Sequence, residues 1–244
     1  MLIDSHCHLH DREFFTKKQA EEMLSRAKER GVKKIICIGT SHEDSIKAAE
    51  FAAAHDNVYW TYGIHPEVAT EVRSEKRHSD RTPAPIAIGE VGLDYHYEGY
   101  NRDAQIRLFE EMLQLATDNN LPVSFHIREA YADFFPVIEN FPKIRGVVHS
   151  FTDSKKVLKR ILNETDFYVG VNGLATYTTL PTPPLERILL ETDAPFLTPQ
   201  PFRGIINEPA YIPEIAVWLS EKLGLEFKII EEKTTKNARK LFNI

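Results

Sequence analysis

The residues best suited to chemistry are imidazole and carboxylate side chains that follow short apolar runs. Glu90 comes directly after the run 86–88, and His126, His149 and Asp193 each follow a similar run further along the chain. Short apolar runs of this kind are typical of buried strands. Because the carboxyl ends of parallel strands meet at one rim, the pattern predicts that these four side chains lie together.

The first strand, predicted over 2–8, adds a pair of histidines. Side chains alternate along a strand, so His6 and His8 share one face with Asp4, whereas Cys7 points to the other. A chain with ten histidines can contain such a pair by chance. Together with the four strand-end side chains, however, the pair predicts a metal centre at the rim rather than a set of helix caps.

The ligand set predicts two divalent metal ions. Imidazole and carboxylate suit Zn²⁺ and Mn²⁺, and Mg²⁺ is less natural where histidines are many. Six such ligands exceed the needs of one open tetrahedral site. The predicted arrangement places His6, His8 and Asp193 on the first ion, His126 and His149 on the second, and Glu90 between them. In such centres the ions lie ~3.5–4 Å apart, and one supplies a hydroxide for an in-line displacement.

Two of the rim residues also have predicted roles in moving protons or holding the substrate. Asp193 is suited to take the proton from the attacking water, as a carboxylate at hydrogen-bond distance can. His65 leaves the third predicted strand in the segment Gly63-Ile64-His65-Pro66. We assign it to the phosphate or to proton transfer.

Strand and helix signals alternate along all 244 residues, which predicts an α/β fold in one domain over 1–244. The predicted strands are 2–8, 34–39, 58–63, 86–90, 122–126, 146–149, 167–171 and 187–193. Eight strands separated by helices predict a TIM-type (β/α)8 barrel. After the seventh strand, Pro181, Pro183 and Pro184 predict a proline-rich loop in place of the usual helix. The charged segment 71–85 is interpreted as a solvated loop or a poor helix.

Composition limits the partners. The net charge is −6, so a polyanionic substrate must be held locally rather than by a global basic field. Cys7 and Cys37 are the only cysteines, and the sequence shows neither a hydrophobic leader nor an apolar segment of membrane-spanning length. These features predict a cytoplasmic protein without disulfides or membrane association. A monomer is expected because no interface stripe stands out.

Six segments resemble the TatD-type metal-dependent deoxyribonucleases of the amidohydrolase-like barrels. They are Asp4-Ser5-His6-Cys7-His8, Gly63-Ile64-His65-Pro66, Gly89-Glu90-Val91-Gly92-Leu93-Asp94, His126-Ile127-Arg128, His149-Ser150-Phe151 and Glu191-Thr192-Asp193-Ala194-Pro195-Phe196-Leu197-Thr198-Pro199, with Arg203-Gly204 and Asn207-Glu208-Pro209 behind them. They span almost the whole chain in the family's order. The resemblance implies a β/α barrel, a dinuclear site on the six residues named above, and phosphodiester hydrolysis of DNA, often from a 3′ end.

For a DNA substrate, above all a single strand or a 3′ end, we expect a short footprint at the barrel mouth. Arg128 and Arg203 are the predicted phosphate contacts, and Tyr95 or Tyr97 could stack on bases. The departures from the family, the proline-rich loop and the charged loop after strand three, bear on the shape of the groove and not on the ligands.

Two other functions remain open at this point. The first is an amidohydrolase-type barrel enzyme acting on a small amide, lactone or phosphoester. Many of those bridge their metals with a modified lysine on the fourth strand, where this chain has Glu90. The second is a non-catalytic binding module, which loss of a ligand would favour; none is lost.

Overall fold

Eight parallel strands form the sheet of the computed structural model, which describes residues 1–70 and 84–244. The strands are β1 (Leu2–Cys7), β2 (Val32–Ile38), β3 (Val58–Tyr62), β4 (Ala87–Asp94), β5 (Val123–Arg128), β6 (Gly146–Val148), β7 (Tyr168–Val171) and β8 (Ile188–Leu190). The helices are α1 (Lys17–Glu29), α2 (His42–Ala53), α3 (Arg102–Asp118), α4 (Tyr131–Glu139), α5 (Lys155–Glu164), α6 (Ile212–Leu223) and α7 (Phe227–Phe242). Most of the loop predicted over 71–85 lies outside the described residues.

Neighbouring strands follow chain order from β1 to β8, which confirms the predicted barrel. The first and last strands meet through a parallel bridge between Cys7 and Ala194. The backbone N–H of Asp193 donates to His6 O at 2.8 Å, and that of His8 to Ala194 O at 2.8 Å. The nearly closed sheet therefore brings the exits of the first and last strands to the same rim.

Local sequence explains where the helices begin. Thr16 and Gln19 form the predicted capping box ahead of α1, with each side chain bonded to the other's backbone. Asn101 caps α3 through a bond from Ala104 N at 3.0 Å. These caps fix the points at which the chain leaves the rim loops.

The proline-rich connection between β7 and β8 contains only the short 3₁₀ turns Gly173–Thr176 and Leu185–Arg187, so the prediction of a missing helix is confirmed. The C-terminal helix α7 packs there instead. Asn237 Nδ2 donates to Leu185 O and Ile188 O, each at 2.9 Å. This buried amide satisfies two backbone carbonyls at the start of β8.

The fourth strand is longer than the sequence predicted. We placed Glu90 at the exit of β4, but β4 continues to Asp94, so Glu90 lies within the strand. Val91 and Leu93 are fully buried in the core outside the sheet. Their burial keeps β4 extended past Gly89 and Gly92. A register shift between Ile88 and Val91 accompanies the change in pairing with β5.

The inner cluster of the barrel is small and apolar, and α7 covers its amino-terminal end. Ile36, Ile38 and Leu189 pack there against Leu241 and Phe242. The predicted metal ligands lie at the opposite, carboxyl end. Cys7 and Cys37 are buried free thiols, as expected of core residues. No helix in the described ranges is long and apolar enough to cross a membrane.

Candidate metal centre

Glu90 lies at the centre of a cluster of histidines, and its two carboxylate oxygens face different rings. Oε2 is 3.4 Å from His6 Nε2 and 3.9 Å from His8 Nε2. Oε1 is 2.7 Å from His126 Nδ1 and 3.8 Å from His149 Nε2. The carboxylate therefore divides the four histidines predicted as ligands into two pairs, which is the arrangement expected of a group that lies between two ions.

Asp193 completes the side of the cluster that belongs to β1. Its Oδ1 is 3.6 Å from Nε2 of both His6 and His8, and 3.7 Å from His149 Nε2. The residue follows β8 with a left-handed φ of 59°. Its backbone bond to His6 fixes this turn, so closure of the barrel aims the carboxylate at the histidines.

The ring nitrogens that point away from the cluster are held by protein acceptors. His8 Nδ1 is 3.1 Å from Ile38 O, and His149 Nδ1 is 3.0 Å from Glu191 Oε1. A carbonyl and a carboxylate only accept, so each Nδ1 carries a proton and each Nε2 faces the cluster. The Nε2 atoms are therefore the nitrogens available to a metal ion. Burial lowers the pKa of His149, but the charges of Glu191 and Asp193 outweigh it and raise the pKa to about 10, so a metal ion would displace a proton there.

His6 has the plainest signature of a ligand. Its Nε2 is buried and has no hydrogen-bond partner among the described residues. Burial, and then repulsion by His149, lower the pKa of His6, so the ring is neutral. A buried, neutral, unpartnered imidazole nitrogen beside two carboxylates fits a metal ion.

The side chains of the cluster supply nitrogen and oxygen donor atoms of the type and spacing that divalent metal ions bind. Three sets of side chains have ligand atoms that all lie within 4.8 Å of one another: His6, His149 and Asp193; His6, His8 and Glu90; and His65, Glu90 and His126. Burial alone would raise the pKa of Glu90 and of Asp193. The surrounding histidines outweigh it and hold both pKa values below their usual range, so both groups are anionic.

Both ring nitrogens of His126 contact carboxylates. Nδ1 bonds Glu90 Oε1 at 2.7 Å, and Nε2 bonds Asp94 Oδ2 at 2.8 Å. Burial lowers the pKa of His126, but these two bonds outweigh it and raise the pKa to about 9. Asp94 thus fixes the ring from the side opposite Glu90.

His65 lies beside His126 but has a different protonation state. Burial, and then the charge on His126, lower the pKa of His65 to about 4. Its Nδ1 accepts from Glu67 N at 3.3 Å, so the proton of the neutral ring resides on Nε2. Nε2 lies 3.8 Å from Glu90 Oε1 and faces the cavity as a donor.

The cluster opens into a cavity of about 790 Å³ whose rim has two different sides. On one side the guanidinium of Arg128 lies 5.4 Å from the centroid of the Tyr97 ring. On the other, Phe14 and Phe196 meet edge to face at 5.3 Å. The cavity is large enough for a nucleotide-sized ligand.

Two of the predicted substrate contacts do not reach this cavity. Arg203 packs over the ring of Tyr177 at 4.1 Å, and Tyr95 bonds Asp133 Oδ2 at 2.8 Å through its hydroxyl. Neither side chain lines the cavity, whereas Arg128 does. The structure therefore brings together the six predicted metal ligands with His65 and Arg128, and leaves Arg203 and Tyr95 outside.

Comparison with known families identifies the family of the chain. The family model described as TatD related DNase matches residues 3–243, which is almost the entire chain. The chain belongs to the TatD family. It is a metal-dependent hydrolase of that family, and the resemblance noted in its sequence motifs is confirmed.

Relatives of this TatD-family chain match along most or all of their length. The uncharacterized metal-dependent hydrolase YabD of Bacillus subtilis is 34% identical over 100% of both chains. A protein of Pantoea ananatis named 3′-5′ ssDNA/RNA exonuclease TatD is 35% identical over 92% of this chain and 93% of its own. Among solved structures, the TatD homolog YjjV of Escherichia coli has a TM-score of 0.86 at 28% identity, with 100% and 98% of the two chains covered.

Sequence reasoning missed three carboxylates that hold the ligands of this TatD-family site in place. Asp94 holds His126, and Glu191 holds His149 while accepting from Ser150 N at 2.7 Å. Asp4 accepts from Thr192 N at 2.9 Å and from the Thr192 hydroxyl at 2.6 Å. Burial outweighs these bonds and raises the pKa of Asp4 to about 7.

The signal for these carboxylates was present in the sequence. Asp4 and Glu191 each lie two residues from a predicted ligand, on the same face of an extended chain, and Asp94 ends the motif that contains Glu90. The sequence did not show which residues these carboxylates contact. Asp4 acts on Thr192 across the barrel closure, at a separation of 188 residues.

Proposed function

We propose that this metal-dependent hydrolase is a deoxyribonuclease that removes nucleotides from the 3′ end of single-stranded DNA with two divalent ions. The observation that carries the proposal is the division of the histidines by the two oxygens of Glu90, in a cavity that Arg128 lines. The name of the Pantoea ananatis relative, a 3′-5′ ssDNA/RNA exonuclease, supports the substrate class and the polarity.

In this proposal the six ligands fall into the two predicted sets. The first ion would be held by His6, His8 and Asp193 and the second by His126 and His149, with Glu90 in contact with both sets. Bound divalent ions supply Lewis-acid polarisation of the phosphate and lower the pKa of water at the site. Zn²⁺ and Mn²⁺ suit this ligand set better than Mg²⁺.

The protein's own groups then have distinct tasks. Asp193 is anionic and faces the cavity, so it can accept the proton of the attacking water. His65 is neutral with its Nε2 proton directed into the cavity, which suits a hydrogen bond to a phosphate oxygen. Arg128 supplies the positive charge at the rim that an acidic chain needs in order to hold a phosphate.

The test is cleavage of a single-stranded DNA labelled at its 5′ or its 3′ end, with Mn²⁺, Zn²⁺ or Mg²⁺ and with chelator. We expect stepwise shortening of the 5′-labelled strand and early release of the labelled nucleotide from the 3′-labelled one. Glu90→Gln should lower the rate at least about 1000-fold, because loss of the shared carboxylate removes several kcal/mol of charge stabilisation. Glu111→Gln, an exposed change on α3, is the matched control.

Other outcomes would change the proposal in defined ways. Shortening from the 5′ end would contradict the polarity, and equal cleavage of an RNA strand would widen the substrate class. Absence of cleavage by protein with two bound ions per chain would reject the nuclease. The alternative, hydrolysis of a small amide, lactone or phosphoester, would then be tested on the same preparation.

A further inference from the structure

A second cavity adjoins the metal-centre cavity at the barrel rim. Its volume is about 320 Å³, and it lies between the loop after β4 and the segment 66–70. It shares Glu67, Asp94 and Tyr97 with the larger cavity, so the two lie side by side at the rim. We call it the tyrosine pocket, because Tyr97 and Tyr100 line it.

The aromatic wall of the tyrosine pocket is braced from behind. The rings of Tyr95 and Tyr100 stack at 4.5 Å with an interplanar angle of 12°. The Tyr95 hydroxyl bonds Asp133, which Arg102 also holds with contacts of 2.7 and 2.5 Å. Tyr95 is therefore a support for the pocket. A ligand that binds against Tyr100 meets a ring already held in place, which lowers the entropy cost of binding.

The floor of the pocket is held equally firmly. Gln105 on α3 clamps the backbone of Asp94, accepting from its N–H at 2.8 Å and donating to its O at 2.8 Å. The Asp94 carboxylate in turn holds the ligand His126. The pocket therefore has a fixed position relative to the metal centre.

The charge of the described lining of the tyrosine pocket disfavours a phosphate. Glu67 and Glu98 line it, and its described lining residues include no lysine or arginine. Arg128 lies on the other side of Tyr97, in the metal-centre cavity. A nucleotide that spans the two cavities would place its phosphate near Arg128 and its uncharged part among the tyrosines.

We propose that the tyrosine pocket binds the base of a nucleotide next to the scissile phosphodiester. The inference rests on the proposed function and adds the position at which a base is held. Aromatic side chains stack on the π-face of any base, so the pocket should bind a base without selecting among the four bases. A volume of about 320 Å³ lies at the lower end of the range for small-ligand pockets, which suits a single base.

The experiment combines abasic substrates with variants of the pocket. An abasic residue is placed in turn at each of the three 3′-terminal positions of a single-stranded DNA, and kcat/KM is measured. We expect one position at which loss of the base costs the wild type at least about fivefold, the lower bound for one stacked base. Tyr100→Ala should show that loss on the intact strand and little further loss on the abasic one, whereas Tyr100→Phe should behave as wild type.

Equal abasic penalties in the wild type and Tyr100→Ala at all three positions would overturn the pocket. Binding of the same strands in the presence of chelator, followed by fluorescence anisotropy, separates this result from failure of the nuclease proposal. Base-dependent affinity that Tyr100→Ala removes would support the pocket even if no strand were cleaved. Cleavage with base-independent rates and affinities would leave the nuclease standing and reject the pocket.

Discussion

At the scale of single residues, the carboxylates behind the histidines decide how well the centre can hold metal. Asp94 and Glu191 each occupy the ring nitrogen of a histidine whose other nitrogen faces Glu90. Such partners fix the orientation of the ring and raise its basicity as a ligand. In this role they act through the histidines, so we regard them as positioning residues.

Asp94→Asn should therefore weaken divalent metal binding by about 10–100-fold, the usual range for loss of a carboxylate behind a ligating histidine. The measurement is a metal titration against a chelating indicator, with stoichiometry and affinity fitted for each site. Asp103→Asn, an exposed change at the start of α3, is the control. Unchanged affinity at both sites would show that Asp94 does not position His126.

At the scale of elements, the contact between β4 and β5 sets the position of both Glu90 and His126. Gly92 faces His126 across this contact with a φ of 151°. A Cβ added at Gly92 would lie 2.0 Å from His126 O, which is backbone and cannot give way by a rotamer change. The approach of the two strands depends on this glycine.

Gly92→Ala should lower the free energy of unfolding by several kcal/mol, because backbone strain and a steric clash add together. Gly99→Ala is the matched control, since Gly99 also has a positive φ, of 84°, but nothing lies within 4 Å of an added Cβ. We expect it to cost about 1–2 kcal/mol. Urea unfolding followed by circular dichroism measures both, and equal losses would show that the clash is relieved elsewhere.

At the scale of the whole molecule, the metal centre joins strands that are distant along the chain. Its predicted ligands come from β1 and the residue after it, β4, β5, the residue after β6 and the segment after β8. Ions bound there would connect the two ends of the barrel sheet. Because an unfolded chain cannot offer these ligands together, metal binding stabilises the fold.

Removal of metal by chelator should consequently lower the melting temperature. A site filled at 100 times its dissociation constant contributes about 2.7 kcal/mol. For a chain of this size that corresponds to a shift of about 5–11 °C. Differential scanning calorimetry of metal-loaded and chelator-treated protein measures it. Glu90→Gln should show a smaller shift, and an equal shift in both proteins would place the stabilising ions elsewhere.

The sequence by itself determined the class of fold and the chemical types in the centre. Apolar runs that end in His126, His149 and Asp193 are local patterns, and the order of strands follows from their alternation with helices. The prolines also predicted that no helix lies between β7 and β8, because proline lacks the N–H that a helix needs.

Only the tertiary structure decided which groups support and surround those ligands. The extension of β4 past Glu90, the bond from Asp4 to Thr192 and the exclusion of Arg203 from the cavity depend on contacts between distant segments. Local sequence propensity does not show which distant residues will meet, because closure of the sheet and packing of the elements determine those contacts. The types of the predicted ligand side chains can be read from the sequence, whereas the nearly closed barrel sets their relative positions.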